Sequence, residues 1–266
     1  MLSDWLDGWA LTPDGAPMHT HSSDLLPVLV GGERAMLKVA RSAEEERGHR
    51  LMVWWAGEGA ARVLRHEGPA LLMERLDDDT PLGPLASGGQ DDEATRILCR
   101  AAVRLHAPRP QAWPALPALP GWFRSLEAAS AGGGLFARCW DEARALLHSA
   151  QDQCPLHGDL HHGNVLRSGE RGWLAIDPKG LIGERGFDFA NLLCNPTLDH
   201  ARRPGRLARQ ASVVAAETGL ERTRLLRWVA AYAGLSAAWH HEDRQTAEVW
   251  ATLDIAQLAL AELGVA

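Results

Sequence analysis

The sequence predicts an α+β fold in two lobes, with a small strand-rich N-terminal lobe and a larger, mostly helical C-terminal lobe. Short apolar runs bounded by Gly, Glu or Pro lie at 25–30, 35–40 and 70–73, a pattern typical of strands. Beyond these runs the apolar residues recur at spacings of three and four, which is typical of helices. We therefore predict an N-terminal lobe over 1–76 and a C-terminal lobe over 77–266.

Residues 43–56, between the second and third apolar runs, are predicted to form a helix. Leu51, Trp54 and Trp55 fall on one side of it. Three glutamates at 44–46 occupy its first turn, where the positive end of the helix dipole stabilises acids. The N-terminal lobe is therefore expected to consist of strands and one helix.

The chain after the N-terminal lobe is predicted to be mostly helical. Residues 77–89 have the composition of a loop, and the helix that follows begins with the acids at 91–93 and stops before Pro108. More helix is predicted within about 206–264, with breaks near Gly219 and at the tetrapeptide HHED. These segments make up the larger lobe.

The composition limits the possible partners. Hydrophobic residues make up 46% and charged residues 23%, which is ordinary for a soluble globular protein. No window approaches the roughly 18 apolar residues of a membrane span, and the N-terminus lacks a leader's basic and apolar stretches. We therefore expect a cytoplasmic monomer that binds no membrane. The net charge of −7 argues against nucleic acid as a partner and is compatible with a cationic ligand.

The segment PLHGDLHHGNVL at 155–166 concentrates polar side chains and admits two interpretations. In the first, three histidines are the ligands of a zinc-dependent hydrolase: His157, His161 and His162. In the second, Asp159 and Asn164 carry the chemistry, and the histidines support them by packing and hydrogen bonding. The first interpretation predicts tightly bound zinc in the purified protein.

The residues after Asn164 favour the second interpretation. They form two short strands, VLR and WLAI, joined by the turn SGERG, and Asp177 follows the second strand. This hairpin brings Asn164 and Asp177 to the same open end, with Asp159 in the loop just before it. Amide and carboxylate oxygens at one point suit Mg²⁺, whereas zinc prefers nitrogen or sulfur. The spacing of Asp159 and Asn164 also matches the kinase catalytic loop, whose Asp accepts the substrate's hydroxyl proton and whose Asn binds metal.

Phosphoryl transfer needs a cation near the ATP phosphates, and Lys38 in the apolar strand AMLKVA is the candidate. In the kinase arrangement, a glutamate from the following helix orients this lysine. The glutamate run at 44–46 supplies it, and we favour Glu46 over Glu45. The alternative for Lys38 is an edge-strand lysine that extends its amine into solvent.

Further nucleotide contacts are predicted in the N-terminal lobe. The strand and hinge ALLMERL place backbone groups from Glu74 to Leu76 opposite adenine, and Met73 at the back of the purine pocket. The segment THSS lies where a glycine-rich loop would cover the phosphates, but the chain has no G-x-G-x-x-G motif. Ser22 and Ser23 are therefore predicted to contact the phosphates.

With these motifs the chain resembles the aminoglycoside phosphotransferases, in particular the streptomycin 6-phosphotransferase branch that also includes hydroxyurea kinases. The matching segments span nearly the whole chain and include AMLKVA, ALLMERL, RLHAP, CPLHGDLHHGNVL and RGWLAIDPKGLIGERGFDFANLLCNP. The resemblance implies a protein-kinase-like fold that uses ATP and Mg²⁺. It also implies that Asp159 is the catalytic base, that Asn164 and Asp177 bind Mg²⁺, and that Lys38 holds the phosphates.

The implied activity is phosphorylation of streptomycin at its 6-hydroxyl, which would confer resistance to this antibiotic. Streptomycin carries two guanidinium groups and an amine, so its site should be acidic. The candidate acids, all in predicted loops of the C-terminal lobe, are Glu184, Asp199, Glu242 and Asp243. Asp188 is expected to cap and brace a helix instead. A kinase of the same fold that acts on hydroxyurea or an endogenous amino alcohol is the nearer alternative.

Overall fold

The computed structural model describes residues 2–76 and 79–264, and it confirms the α+β architecture of two lobes. The N-terminal lobe is built on an antiparallel sheet. Its strands are β1 (Thr12–Pro13), β2 (Met18–His19), β3 (Ser23–Val30), β4 (Glu33–Ala40), β5 (Val63–Glu67) and β6 (Ala70–Glu74). The strand order is β1-β3-β4-β6-β5, and β2 pairs with β3 to form a hairpin. The strands predicted from the three apolar runs are confirmed.

Helices pack on both faces of this sheet. The predicted helix is confirmed as α2 (Ala43–Trp55), and its Trp55 belongs to the same hydrophobic core cluster as Leu71 and Met73 of β6. A helix that the sequence did not predict, α1 (Leu2–Trp9), packs against the opposite face with Trp9. The run ALLM is apolar at every position because β6 is covered on both faces.

The C-terminal lobe is helical around a central buried helix. Its helices are α3 (Leu82–Leu85), α4 (Asp91–His106), α5 (Arg124–Ser130), α6 (Gly134–His148), α7 (Gly186–Leu193), α8 (Leu198–Ala201), α9 (Arg206–Thr218), α10 (Arg222–Glu242) and α11 (Thr246–Glu262). The central helix is α10, which packs against α6, α7 and α11. The predicted break at Gly219 is confirmed, since this residue has the left-handed φ of 70° that glycine adopts at a helix end.

Short strands in the C-terminal lobe position its polar loops. They are β7 (Gln153–Leu156), β8 (Val165–Ser168), β9 (Gly172–Ala175) and β10 (Leu181–Glu184). The predicted hairpin is confirmed, because β8 pairs with β9 and places Val165 opposite Ala175. The pairing of β7 with β10 brings the loops 157–164 and 176–180 side by side. These two loops carry most of the predicted site.

The predicted boundary between the lobes falls between residues 76 and 77. Residues 77 and 78 lie outside the described residues, so this division of the chain stays a prediction. Within the ranges 2–76 and 79–264, no helix has both the length and the apolar character that crossing a membrane requires.

Candidate active site

The loop 157–164 is held in place by a buried carboxylate from α7. Asp188 accepts hydrogen bonds from the backbone N–H of His157 at 2.9 Å and of Gly158 at 2.8 Å, and the Nε2 of His106 lies 2.8 Å from it. Burial alone would raise the pKa of Asp188, but the hydrogen bonds and His106 hold it below its usual range. The expectation that Asp188 caps a helix is therefore corrected: it braces the loop that carries Asp159.

The histidines of this loop do not form a zinc site. His157 is buried, and both of its ring nitrogens are engaged: Nε2 lies 2.8 Å from the carbonyl oxygen of Ile176, and Nδ1 accepts from the N–H of Asp159 at 3.2 Å. Burial lowers the pKa of His157, and the Asp159 N–H occupies its Nδ1, so Nδ1 has no proton or lone pair to offer a ligand. His161 uses Nδ1 to accept from the Gly163 N–H at 2.9 Å. Among the described residues, no group of three His, Cys, Asp or Glu side chains could hold a metal. The zinc-hydrolase interpretation is wrong.

Asp159 is oriented from two sides. Its Oδ1 accepts a hydrogen bond from the Nδ2 of Asn191 at 3.1 Å, and its backbone carbonyl accepts from the Nδ2 of Asn164 at 2.9 Å. The Asp159 side chain is 33% exposed. This contact with Asn191, on α7, was not predicted from the sequence. It leaves a partly exposed carboxylate in a fixed orientation, as a general base requires.

Lys38 lies on β4 with its side chain only 5% exposed, and its Nζ contacts carboxylate oxygens of both Asp177 and Glu45. The predicted partner Glu46 is wrong. Glu45 is buried together with Gly48 and other residues at helical spacing on α2, whereas Glu46 points about 100° away around the helix axis. Burial alone would raise the pKa of Glu45, but its lysine neighbours and Ser22 bring it down to about 2.

Asn164 and Asp177 present oxygen donors at the open end of the hairpin. The backbone N–H of Ile176 donates to the carbonyl of Asn164 at 2.9 Å, which brings the two segments together. The Nδ2 of Asn164 is used by Asp159, so its amide oxygen is the atom left for a ligand. Asp177 has a φ of 60° and a side chain that is 40% exposed. A partly exposed carboxylate beside the amide oxygen of the buried Asn164 fits Mg²⁺, which takes few protein ligands and keeps several waters.

The serines of THSS are held within the protein. Ser22 donates from Oγ to Glu45 at 2.9 Å. Ser23 is 2% exposed, and its Oγ lies 3.0 Å from the hydroxyl of Thr20. The predicted contact of the Ser23 side chain with phosphate is therefore wrong, because this hydroxyl faces the interior. Contact of Ser22 with phosphate stays a prediction.

The hinge region is also engaged in protein contacts. The Glu74 carboxylate accepts from the backbone N–H of Arg62 at 2.6 Å and contacts Arg171, and the Glu74 N–H donates to the Arg62 carbonyl. An adenine contact can therefore involve the carbonyl of Glu74 or the backbone of Leu76, but not the N–H of Glu74. Met73 is buried in β6, and its place behind a purine stays a prediction.

A cavity of about 470 Å³ opens beside Asp159. It is lined by Glu44, Gly121, Trp122, Arg124, Ser125, Gly158, Asp159, Lys179, Tyr232 and Trp239. The rings of Trp122 and Trp239 meet edge to face, with centroids 5.9 Å apart and an interplanar angle of 84°. The sequence did not identify Glu44, Lys179 or the two tryptophans as site residues. The glutamate run contains Glu44 and the DPKG tetrapeptide contains Lys179, and these two motifs are the features of the sequence that could have indicated them.

The four acids predicted to bind substrate are not among the residues that line this cavity. Glu184 is 2% exposed and is bound by Arg224 and by Trp228 Nε1 at 2.7 Å, so its charge is already neutralised inside the lobe. Asp199 is 89% exposed and pairs with Arg202. Glu242 and Asp243 are exposed at the end of α10, beyond Trp239. The prediction is therefore wrong for Glu184, because loop position alone did not show that this acid is buried. Substrate contacts of Asp199, Glu242 and Asp243 stay predictions.

A strand lysine paired with a helix glutamate, a braced aspartate in an HGD loop and an Asn–Asp pair on a hairpin together define a small-molecule kinase of the protein-kinase-like fold. The chain belongs to the aminoglycoside/hydroxyurea antibiotic resistance kinase family, which it matches over residues 8–244. The expected family is therefore confirmed.

Individual relatives carry more specific names. The chain is 50% identical to a streptomycin 3''-kinase of Klebsiella pneumoniae, over 96% of this chain and 98% of the relative. It is 33% identical to a streptomycin 6-kinase of Streptomyces glaucescens, over 98% and 87%. The fold also matches aminoglycoside phosphotransferase APH(4)-Ia in ternary complex with AMP-PNP and hygromycin B, with a TM-score of 0.68, 14% identity and 98% coverage of both chains. The expected 6-position is thus not supported by these similarities.

Proposed function

We propose that this protein transfers the γ-phosphoryl group of ATP to a hydroxyl of streptomycin, with Mg²⁺, and that the acceptor is the 3''-hydroxyl. The position of Asp159 carries the proposal, because this residue lines the 470 Å³ cavity and its backbone carbonyl accepts a hydrogen bond from Asn164, one of the two predicted metal ligands. The 50% identity to a streptomycin 3''-kinase supports the acceptor position. We place this activity in the cytoplasm, where ATP is available, and it would confer resistance to streptomycin.

The transfer step assigns one task to each group. The acceptor hydroxyl gives its proton to Asp159, and its oxygen forms a bond to the γ-phosphorus. The bond between that phosphorus and the bridging oxygen breaks, and ADP leaves with the electron pair. Asn191 keeps Asp159 aimed at the hydroxyl, and Glu45 keeps Lys38 beside the phosphates. Mg²⁺ held by Asn164 and Asp177 would offset charge on the phosphate oxygens.

The cavity suits a cationic sugar. The Glu44 side chain is 36% exposed, so it is open to an ion pair with an ammonium or guanidinium group in addition to its contacts with Lys179 and Arg47. Trp122 and Trp239 offer aromatic faces for cation–π contact and sugar packing. The 3''-hydroxyl of streptomycin is next to the carbon that carries its methylamino group. With that hydroxyl at Asp159, the neighbouring ammonium would lie in the cavity that Glu44 also lines.

Two alternative acceptors would use the same catalytic residues. The 6-hydroxyl of streptomycin is one, because a relative that is 33% identical is named a streptomycin 6-kinase. Hydroxyurea is the other, because the matched family includes kinases of this compound. Hydroxyurea is much smaller than a 470 Å³ cavity, so streptomycin is favoured.

Product analysis tests the proposal. The purified protein is incubated with Mg·ATP and streptomycin, and a phosphorus–proton correlation NMR spectrum locates the phosphate. Asp159→Asn is the control, in which the signal should accumulate about 10²–10⁴ times more slowly. Coupling to the 3'' proton supports the proposal, coupling to the proton at position 6 moves the acceptor, and turnover of hydroxyurea without turnover of streptomycin refutes it.

A further inference from the structure

The chain contains only two lysines, Lys38 and Lys179, against 25 arginines. Both contact the same carboxylate: Lys38 Nζ meets one oxygen of Glu45, and Lys179 Nζ lies 3.2 Å from the other. Arginine serves at every other strongly basic position, and its planar guanidinium is larger than an ammonium. Lysine at just these two positions therefore indicates that compact ammonium groups are needed here.

Lys179 lies directly against the loop that carries the predicted base. Its backbone N–H donates to the carbonyl of His157 at 2.7 Å. Gly158 has a φ of 80°, and a Cβ on it would lie 3.1 Å from the Cβ of Lys179. The lysine stem therefore packs on the residue immediately before Asp159, and both side chains line the same cavity.

Carboxylates surround the ammonium of Lys179. Glu44 lies 3.4 Å away and Glu45 3.2 Å away, and the charge of Asp177 also acts on it. Burial alone would lower the pKa of Lys179, but these three acids raise it. A charged ammonium thus lies within the field of the predicted metal-binding carboxylate and on a residue that lines the acceptor's cavity.

The ammonium of Lys179 would repel a cationic acceptor. Its ligand in the site is therefore expected to be an anion. The anion that passes between the Asp177 side and Asp159 during transfer is the phosphoryl group. We propose that Lys179 contacts the phosphoryl group in the transition state of transfer, by donating a hydrogen bond from Nζ to one of its non-bridging oxygens. This inference rests on the proposed function. Lys179 stays protonated throughout, while the acceptor proton goes to Asp159 and the electron pair leaves on ADP.

A purely structural role is the competing explanation, in which Lys179 only ties α2 to the loop 176–180. The two roles differ in what they do to nucleotide binding. Loss of the tie would displace Glu45 and Lys38, so Mg·ADP affinity would fall together with turnover. Loss of a contact made during transfer lowers turnover and leaves Mg·ADP affinity unchanged.

Lys179→Met separates these roles, because methionine keeps the apolar stem and removes the charge. We expect kcat with streptomycin to fall by roughly 10²-fold, as for other donors aimed at transition-state charge. The Kd of Mg·ADP by isothermal titration should stay close to that of the wild type, and the KM of streptomycin should not rise. The melting temperature should fall modestly, because Glu45 loses one of its two lysine partners. Arg47→Met is the matched control, since Arg47 pairs with the same Glu44 at 3.9 Å but does not line the cavity. Its kcat should stay within about twofold of the wild type.

Either of two results overturns the inference: a kcat of Lys179→Met within about threefold of the wild type, or a Mg·ADP affinity that falls in parallel with kcat. If the wild type does not phosphorylate streptomycin, the proposed function fails. The role of Lys179 is then tested by ATP hydrolysis, in which water is the acceptor of the phosphoryl group. ATP hydrolysis should then fall by roughly 10²-fold in Lys179→Met, because the same phosphoryl group is transferred. Hydrolysis at the wild-type rate would overturn the inference independently of the acceptor.

Discussion

The pairing of Lys38 with Glu45 makes a prediction for both stability and catalysis. The pKa of Glu45 is lowered from 4.5 to about 2, and its side chain is only 2% exposed, so solvent screens the pair little. One pKa unit corresponds to about 1.4 kcal/mol, so the ionised carboxylate stabilises the fold by about 3 kcal/mol at neutral pH. Because the pKa is lower in the folded state, this stability is fully present above pH 4.5 and is lost as the pH falls towards 2. Glu45→Gln should remove it.

Urea unfolding of the wild type and of Glu45→Gln, at neutral pH and at several acidic pH values, measures this contribution. The variant should be about 3 kcal/mol less stable at neutral pH, and the difference should shrink as the pH falls below 4.5. Its KM for ATP should also rise, because Lys38 retains only the Asp177 contact. Glu46→Gln is the matched control, with an expected change of less than about 0.5 kcal/mol. Equal stabilities of the two variants would refute the assignment of Glu45.

Further substitutions test the remaining parts of the site. Asp159→Asn should lower kcat by about 10²–10⁴ while Mg·ADP affinity is kept, and near wild-type turnover would remove Asp159 as the base. Asp177→Ala should abolish Mg²⁺-dependent binding of ADP in isothermal titration, and an unchanged Kd would contradict a metal role. Gly48→Ala should cost about 2 kcal/mol in urea unfolding and lower turnover, because the added Cβ overlaps the carbonyl oxygen of Pro178. Stability and turnover equal to the wild type would show that α2 does not depend on this close approach.

Local sequence was sufficient for the central part of the site. Asn164 and Asp177 flank two short strands joined by a tight turn, and pairing in a hairpin is set by the turn, so their proximity follows from the sequence between them. Asp159 lies close by because only four residues separate it from Asn164. The lobes were predictable for a similar reason, since strand and helix periods are local properties.

The sequence predicted the segment that pairs with Lys38 but not the residue within it. Consecutive helical residues differ by about 100° in direction, so the glutamate run contained the partner without identifying it. The phase of α2 is decided by packing of its apolar face on the sheet, which turns Glu45 inward. Gly48 indicates the same inward face of α2. It lies about one turn from Glu45, where the helix approaches Pro178 too closely for a side chain.

The substrate cavity was decided by tertiary structure alone. Trp122 and Trp239 come from segments far apart in the chain and meet only when α10 packs in the C-terminal lobe. The same packing removes Glu184 from the cavity, because Arg224 and Trp228 of α10 neutralise it in the interior. A charge in the sequence says that a carboxylate exists, but whether it faces a ligand or an arginine depends on which distant element packs against it.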